Sequence, residues 1–244
     1  MKLKTIEDLD VSGKVVLVRC DFNVPIDEDG EISDASRIER HAPTIITLVN
    51  KGAKVALLSH FGRPAGKVDE NLSLGFISES LTEAFKAPEI VVIPDCIGDV
   101  AKQVLKDMPD GQIALLENVR FYEGEENNDD DFSKSLADIA DIYVNDAFSV
   151  CHREHASVHG ITKYLPSYAG FALNLEIEML EKSLQDSEPP MMGIIGGSKV
   201  SSKLSLLSNL VEKMQFLAIG GGMANTFLAA QGKNIGASFY EKNM

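Results

Sequence analysis

The stretch Val15–Pro25, VVLVRCDFNVP, limits what this chain can fold into more than any other. Val15-Val16-Leu17-Val18 is a continuous, mostly β-branched apolar run, preceded by Gly13 and too short for a helix. Such a run reads as a strand buried on both faces, which demands a layer packed on each side of its sheet. It then breaks into Asp21, Asn23 and Pro25. Asp and Asn favour turns, and proline cannot donate to a ladder. Ligands of an open parallel sheet gather at the carboxyl ends of its strands. Asp21 and Asn23 stand at such an end, as substrate ligands or as an ordinary Asx turn; the residues alone leave both readings open.

The same texture repeats along the chain. Asp34 followed by Ala35-Ser36-Arg37 reads as a helix start, and Ile38, Ile45, Ile46, Leu48 and Val49 carry one helix to Gly52. Val55–Leu58 is a second strand and ends in Ser59-His60-Phe61-Gly62-Arg63-Pro64. A helix near Leu74–Phe85 leads to strand Ile90–Ile93, and Asp99–Met108 reads as a helix. Strand Ile113–Leu116 runs into Glu117-Asn118-Val119-Arg120-Phe121. Helix Phe132–Ala140 feeds strand Ile142–Val144, which ends in Asn145-Asp146-Ala147-Phe148. Repeated strand–helix–strand alternation predicts an α/β fold, a doubly wound, Rossmann-like parallel sheet with helices on both faces.

The balance of charge narrows the partners. With 37 acidic against 23 basic residues the chain carries a formal net charge of −14, which argues against nucleic acid or an anionic membrane. No apolar run approaches the ~20 residues of a membrane span, and MKLKTIEDLD has no apolar signal core. Cys20, Cys96 and Cys151 are odd in number and far apart, as expected of a reducing, cytoplasmic setting.

Two stretches resemble metal sites and fail on context. The acidic run Glu123–Asp131 lacks the glycine-bracketed spacing of a calcium loop, and reads as a solvated loop feeding the next helix N-terminus. His152, His155 and His159 have helical spacing, but form no HExxH, lack an evident carboxylate partner and sit beside Arg153. No metal ligand is assigned.

The arginines say more. The chain has only six: Arg19, Arg37, Arg40, Arg63, Arg120 and Arg153. Arg63, Arg120 and Arg153 each follow a predicted strand, and Arg37 opens the helix after the first one. In a doubly wound sheet those loops share one edge, so four guanidiniums and His60 converge there. Each arginine taken singly is as well explained by an ion pair with a neighbouring acid. Four at one edge of an acidic protein are better explained by a small ligand with several negative charges, which the guanidinium fork suits.

From Gly160 the texture changes. Phe171–Leu184 reads as a long helix, and Asp186–Pro190 as a break that paired prolines enforce. A second strand–helix–strand unit follows: strand Met191–Ile195, the junction Gly196-Gly197-Ser198-Lys199-Val200-Ser201-Ser202-Lys203, a helix to Met214, and strand Phe216–Ile219 ending in Gly220-Gly221-Gly222-Met223-Ala224-Asn225. This predicts one domain over 1–185 and the beginning of a similar α/β domain over 186–244. The glycines suit a backbone that approaches an anion, and Lys199 and Lys203, four apart, fall one helical turn apart. Neither cluster is a Walker A loop or a GxGxxG fingerprint, and close packing explains the glycines equally well.

Taken together, RCDFNVP, SHFGRP, ENVRF, NDAFSVCHREHAS, GGSKVSSK and IGGGMANTF closely resemble phosphoglycerate kinases, in the same order and over the whole chain. The resemblance implies phosphoryl transfer between 1,3-bisphosphoglycerate and ADP, giving 3-phosphoglycerate and ATP. It implies that Asp21, Phe22, Asn23, His60, Phe61, Gly62, Arg63, Arg120 and Arg153 bind phosphoglycerate. Arg37 would bind it too and neutralise the phosphoryl group in flight, aided by Lys199. Lys203, Gly197, Gly220 and Gly221 would serve ADP or ATP. Ser149 and Val150 stand where smaller residues are usual. Members of that family continue well past the position of Met244, and the ligand for the Mg2+ that accompanies the nucleotide is expected there. The sequence therefore reads as part of a longer, monomeric enzyme, itself binding substrate without turnover. A non-catalytic anion-binding module is the alternative. A nucleotide-dependent oxidoreductase is disfavoured, because no glycine fingerprint follows the first strand.

Overall fold

The computed structural model describes residues 3–185 and 189–242. The chain divides into two units, Met1–Glu178 and Met179–Met244, and the division falls within a helix. Of the expected break at Asp186–Pro190, residues 186–188 lie outside the described residues.

The first unit opens with β1 (Val15–Arg19), then α1 (Ser36–Glu39), α2 (Ala42–Asn50), β2 (Lys54–Leu58), α3 (Ser78–Phe85) and β3 (Ile90–Ile93). It continues through α4 (Gly98–Asp107), β4 (Ile113–Leu116), α5 (Glu123–Glu126), α6 (Asp130–Ala137), β5 (Ile142–Asn145), β6 (Ser167–Ala169) and α7 (Phe171–Gln185), which crosses into the second unit. Its six strands lie in the order β3-β4-β2-β1-β5-β6 and all pair in parallel.

The apolar runs explain this architecture. In β1, Val16 and Val18 face one side and Leu17 the other, and all are fully buried. Val55, Leu57, Ile113, Leu115, Ile142 and Val144 share the Val16 side, where Ile38, Ile45, Leu48, Leu81 and Phe85 of α1, α2 and α3 cover them. Leu17, Ala56, Leu58, Ala114, Leu116 and Tyr143 meet Ala101 and Leu105 of α4 and Phe132 and Leu136 of α6 on the other side. The doubly wound sheet is as the sequence predicts.

Three local readings differ. The single helix expected up to Gly52 is broken into α1 and α2. Pro43 occupies the first turn of α2, where its missing N–H costs nothing, and the break turns His41 inward to 1% exposure. The short edge strand β6 has no apolar run to announce it and exists by pairing with β5. The acidic run is not wholly a solvated loop: Glu123–Glu126 are helical, Glu125 is fully buried, and Asp129 caps α6 by accepting the Phe132 N–H at 2.8 Å.

The second unit contains β7 (Met192–Gly196), α8 (Leu204–Lys213), β8 (Phe216–Gly220) and α9 (Gly221–Ala230). The two strands pair in parallel from Met192↔Phe216 to Gly196↔Gly220, over a small core of Val200, Leu207 and Met223. Among the described residues no helix is long and apolar enough to cross a membrane.

Leu57 sits on a central strand with no exposure. Leu57→Ala is expected to lower unfolding free energy by about 2–5 kcal/mol with an unchanged urea m-value. A loss below about 1 kcal/mol in urea titration would show that this position is not in a close-packed core.

Candidate anion-binding site

Parallel strands end on one edge, so the loops after the neighbours β4, β2, β1 and β5 stand side by side in that order. They carry Arg120, His60 with Arg63, Asp21 with Asn23, and Ser149 with Arg153 respectively. The chain winds away from β1 toward β2 on one flank and returns through β5 on the other, so this edge includes the switch point where doubly wound folds hold ligands.

The β1 loop is held at both ends. The Asp21 carboxylate accepts hydrogen bonds from Arg37 Nη1 at 2.8 Å, Ser149 Oγ at 2.7 Å and the Asn23 N–H at 3.2 Å. Burial opposes its charge, but the Ser149 hydrogen bond, the neighbouring His60, the Asn23 hydrogen bond and the Arg37 guanidinium more than compensate, so its pKa is lowered. Asn23 Oδ1 accepts the Gly62 N–H at 2.9 Å, tying the β1 loop to the β2 loop. A cavity of about 230 Å³ opens beside Asp21, between Arg37 and Arg40 of the α1 region and Ser149 after β5.

Asn118 joins the β2 loop to the β4 loop. Its amide donates to the carbonyls of Phe61 at 2.8 Å and Leu72 at 2.9 Å, and its oxygen accepts the N–H groups of Phe61 and Arg120. Arg120 in turn donates to the Gly62 carbonyl at 2.7 Å and lies 3.3 Å from the Glu126 carboxylate. Burial lowers the Arg120 pKa, and the Arg153 and Arg19 charges add to that effect against the opposing pull of Glu126. Three guanidiniums therefore feel one another.

Beneath them lies Arg19, the last residue of β1, fully buried. Its Nε donates to Ser157 Oγ at 2.9 Å, its Nη1 to the Cys20 carbonyl, and its Nη2 lies 3.1 Å from His60 Nδ1. Ser157 passes the connection on, donating from Oγ at 2.7 Å and from N at 2.8 Å to the buried Glu125 carboxylate. Burial alone would raise the Glu125 pKa, but the hydrogen bonds of His155 and Ser157 and the Arg19 charge hold it below the ordinary value. His60 shows the opposite sensitivity. Burial first, then the Arg19 and Arg120 charges, lower its pKa to about 2.

A second buried chain of hydrogen bonds leaves the site from below. His41 Nε2 accepts the Asp21 N–H at 3.1 Å, so the ring proton sits on Nδ1 and is donated at 2.7 Å to Asp146. Asp146 also accepts from Thr44 Oγ1 and from the Ala172 N–H, both at 2.9 Å, while Thr44 Oγ1 accepts the Phe171 N–H. The start of α7 is thereby pinned to the loop that carries Asp21.

The expected residues thus separate into groups. Asp21, Asn23, Arg37, His60, Gly62, Arg120 and Arg153 belong to one connected or electrostatically coupled set. Arg63 is exposed in the same loop as His60. Phe22 and Phe61 fill the core instead: Phe22 meets His41 edge-on at 5.6 Å, and Phe61 packs on Phe76 at 5.2 Å. Arg19, His41, Asn118, Ser149 and Ser157 are the organisers that sequence reasoning missed. A charged residue closing an apolar strand was the one available signal, and it pointed to Arg19. Among the described residues no group of three or more His, Cys, Asp or Glu could hold a metal, and His155 pairs with Glu125 at 3.5 Å.

In the second unit the glycine loops after β7 and β8 meet. A Cβ on Gly221, at φ +64°, would approach Gly197 O to 3.0 Å, and Gly197 O accepts the Met223 N–H at 2.9 Å. Lys199 and Lys203 are exposed, but not one turn apart on a helix: Ser201–Lys203 is a 3-10 turn and α8 begins at Leu204. Glu241 accepts the Ser201 N–H at 3.0 Å, and the Lys199 charge helps to lower its pKa after the hydrogen bonds from Ser201.

Fold and site together define an α/β protein with a basic, ligand-sized edge at its switch point. The model of the family described as phosphoglycerate kinase matches residues 6–244. The phosphoglycerate kinase of Caulobacter vibrioides is 51% identical over 244 residues, covering 100% of this chain and 61% of the relative. That of Rhizobium johnstonii is 53% identical over 242 residues, with 99% and 60% covered. Among solved structures, phosphoglycerate kinase from Coxiella burnetii aligns with a TM-score of 0.84 at 38% identity, covering 99% of this chain and 60% of that one. The enzyme from Pyrococcus horikoshii OT3 aligns with a TM-score of 0.84 at 31% identity, covering 96% and 59%. The chain belongs to the phosphoglycerate kinase family and spans about 60% of the length of the relatives it matches.

Two predictions follow from this geometry. Gly62 has φ +61°, and a Cβ there would meet Leu72 Cδ2 at 2.7 Å. Gly62→Ala is expected to cost more than about 1 kcal/mol by urea unfolding, and an unchanged midpoint would disprove the tight turn. Because the Glu125 pKa is lowered in the fold, its contribution is fully present above the ordinary value of 4.5 and is lost as pH falls through the folded value. Urea midpoints of the wild type should therefore fall more steeply below that pH than those of Glu125→Gln. Parallel pH profiles would contradict the buried carboxylate.

Proposed function

We propose that this chain supplies the phosphoglycerate-binding half, and the start of the nucleotide-binding half, of a phosphoglycerate kinase. The observation that carries this reading is the convergence of Arg19, Arg37, Arg120 and Arg153 around His60 and Asp21 in a protein of net charge −14. So dense a positive field is costly by itself and suits a ligand bearing a carboxylate and phosphate. In this reading, which the family membership supports, that ligand is 3-phosphoglycerate or 1,3-bisphosphoglycerate, with ADP or ATP as the second substrate.

The chemistry asks little of a protein base. In one direction a carboxylate oxygen attacks the γ-phosphorus of ATP, and in the other a β-phosphate oxygen of ADP attacks the acyl phosphate. Both nucleophiles are already anions. Catalysis then consists of in-line positioning and neutralisation of charge spread over the transferring oxygens. Arg37, 48% exposed at the cavity and oriented by Asp21, would perform the neutralising role. Arg63, Arg120, Arg153, His60 and Asn23 would hold the acceptor. In the second unit Lys199 would assist the transferring group, and Lys203 would contact nucleotide phosphate. The glycines Gly197, Gly220 and Gly221 would allow close backbone approach. Transfer between the two substrates requires that their reacting groups be brought together and that water be excluded. Mg2+ accompanies the nucleotide in this reading, and among the described residues no group of three or more His, Cys, Asp or Glu would hold it without the phosphates.

Binding and turnover are separable. The 244 residues should bind 3-phosphoglycerate in calorimetric titration without forming ATP at the rate of an enzyme of the relatives' full length. Failure to bind 3-phosphoglycerate would refute the reading. Binding of 3-phosphoglycerate by a protein that shows no kinase activity even at that full length would favour a non-catalytic anion-binding module. In an enzyme of full length, Arg37→Ala is expected to lower kcat by about 10³-fold, or ~4 kcal/mol, while Arg63→Ala chiefly weakens 3-phosphoglycerate binding. Near-wild-type kcat in Arg37→Ala would remove the role given to Arg37.

A further inference from the structure

His60 is a buried histidine held among the arginines of this edge, and its neighbours decide where its proton lies. It is 5% exposed, and its Nδ1 lies 3.1 Å from Arg19 Nη2. A guanidinium offers donors only and keeps its proton at any accessible pH. His60 Nδ1 must therefore accept, and the single ring proton of the neutral imidazole sits on Nε2. Protonating Nδ1 as well would set two donors against each other. The other charged groups facing the ring are Arg120 from the β4 loop, Arg153 from the β5 loop and Asp21 from the β1 loop.

Arg19 has no freedom to release this contact. It is fully buried, with Nε committed to Ser157 and Nη1 to the Cys20 carbonyl, and Ser157 is itself fastened to Glu125. The far edge of the imidazole is different. Among the described residues no protein group is hydrogen-bonded to His60 Nε2. Nor is it one of the fully enclosed unpartnered side-chain atoms, which are Arg120 Nε and Asn128 Oδ1. Nε2 thus keeps an accessible, unsatisfied N–H beside the cationic cluster.

We propose that Arg19 is a positioning residue that locks His60 as the neutral Nε2–H tautomer, and that this N–H is donated to an anionic oxygen of the bound phosphoglycerate. The second half rests on the function proposed above; the first half does not. In this arrangement His60 contributes direction and not charge, while the charge comes from the arginines around it. Losing the His60 donor should therefore weaken the ligand by the same factor at pH 6 and pH 8. A cationic histidine would matter more at the lower pH.

The test is nitrogen NMR of the protein labelled in its histidine rings, with His60 assigned through His60→Gln. The expected result is an Nε2–H pattern with unprotonated Nδ1, unchanged from pH 5 to 8 without ligand. A proton on Nδ1, or titration within that range, would overturn the lock. Arg19→Met should release it, giving mixed tautomers or a titration. An unchanged pattern in that variant would overturn the role of Arg19. If the variant does not fold, the wild-type spectrum still decides whether the lock exists. Saturation with 3-phosphoglycerate should shift Nε2 and its proton, and His60→Ala should weaken binding by roughly ten- to a hundredfold, equally at both pH values. Binding that leaves Nε2 unmoved would overturn the donor role. No binding of 3-phosphoglycerate by the wild type would overturn the function proposed above and leave the tautomer result standing.

Discussion

A guanidinium with no exposure at the end of a central strand is the demand around which this site is arranged. Burying a charge costs several kcal/mol unless hydrogen bonds and an opposite charge compensate. Arg19 meets that requirement on one side only. Ser157 connects it to the buried carboxylate of Glu125, which takes hydrogen bonds from the Ser157 N–H and hydroxyl and pairs with His155. Toward the sheet edge its neighbours are His60 and, further out, Arg120 and Arg153. The uncompensated side of the buried cation therefore adds to a positive field that an arriving anion would satisfy. In this low-dielectric setting such a charge acts more strongly than an exposed lysine could.

The second buried network performs a mechanical task. His41, Thr44 and Asp146 join the backbone of Asp21 to the first residues of α7. Both ring nitrogens of His41 are occupied, so the ring is fixed in place, with Phe22 packed edge-on against it. The two networks meet at the β1 loop, Arg19 before Asp21 and His41 beneath it. Asp21 holds Arg37 from there, so the proposed transfer residue depends on packing several residues away.

The strands were legible because they are buried on both faces, which leaves continuous apolar runs that need no knowledge of the partner strand. Ile90–Ile93 and Ile113–Leu116 appear in the structure with the bounds read from those runs. The arginine edge was legible for a related reason: in a parallel sheet, the position after a strand already states the edge. What failed did so where a residue's identity is silent about its burial. Glu125 in an acidic run looks like any solvated carboxylate, and only the fold carries Ser157 to it from 32 residues away. His41 sat in an expected helix, and Phe22 and Phe61 stood beside ligand residues in sequence while their rings belong to the core. The spacing of Lys199 and Lys203 suggested a helix that begins only after them.

By itself the sequence determined the class of fold, the edge on which polar loops collect and the motifs that mark the family, because each follows from local periodicity and order along the chain. Tertiary structure alone decided which charges are buried and which partners they keep. Arg19, Ser157 and Glu125 become neighbours only when β1, the loop after β5 and α5 converge. The proton positions on His41 and His60 follow from donors brought in by other strands and loops. Hydrogen bonding and desolvation depend on distances across the fold, and a linear pattern carries no record of those distances.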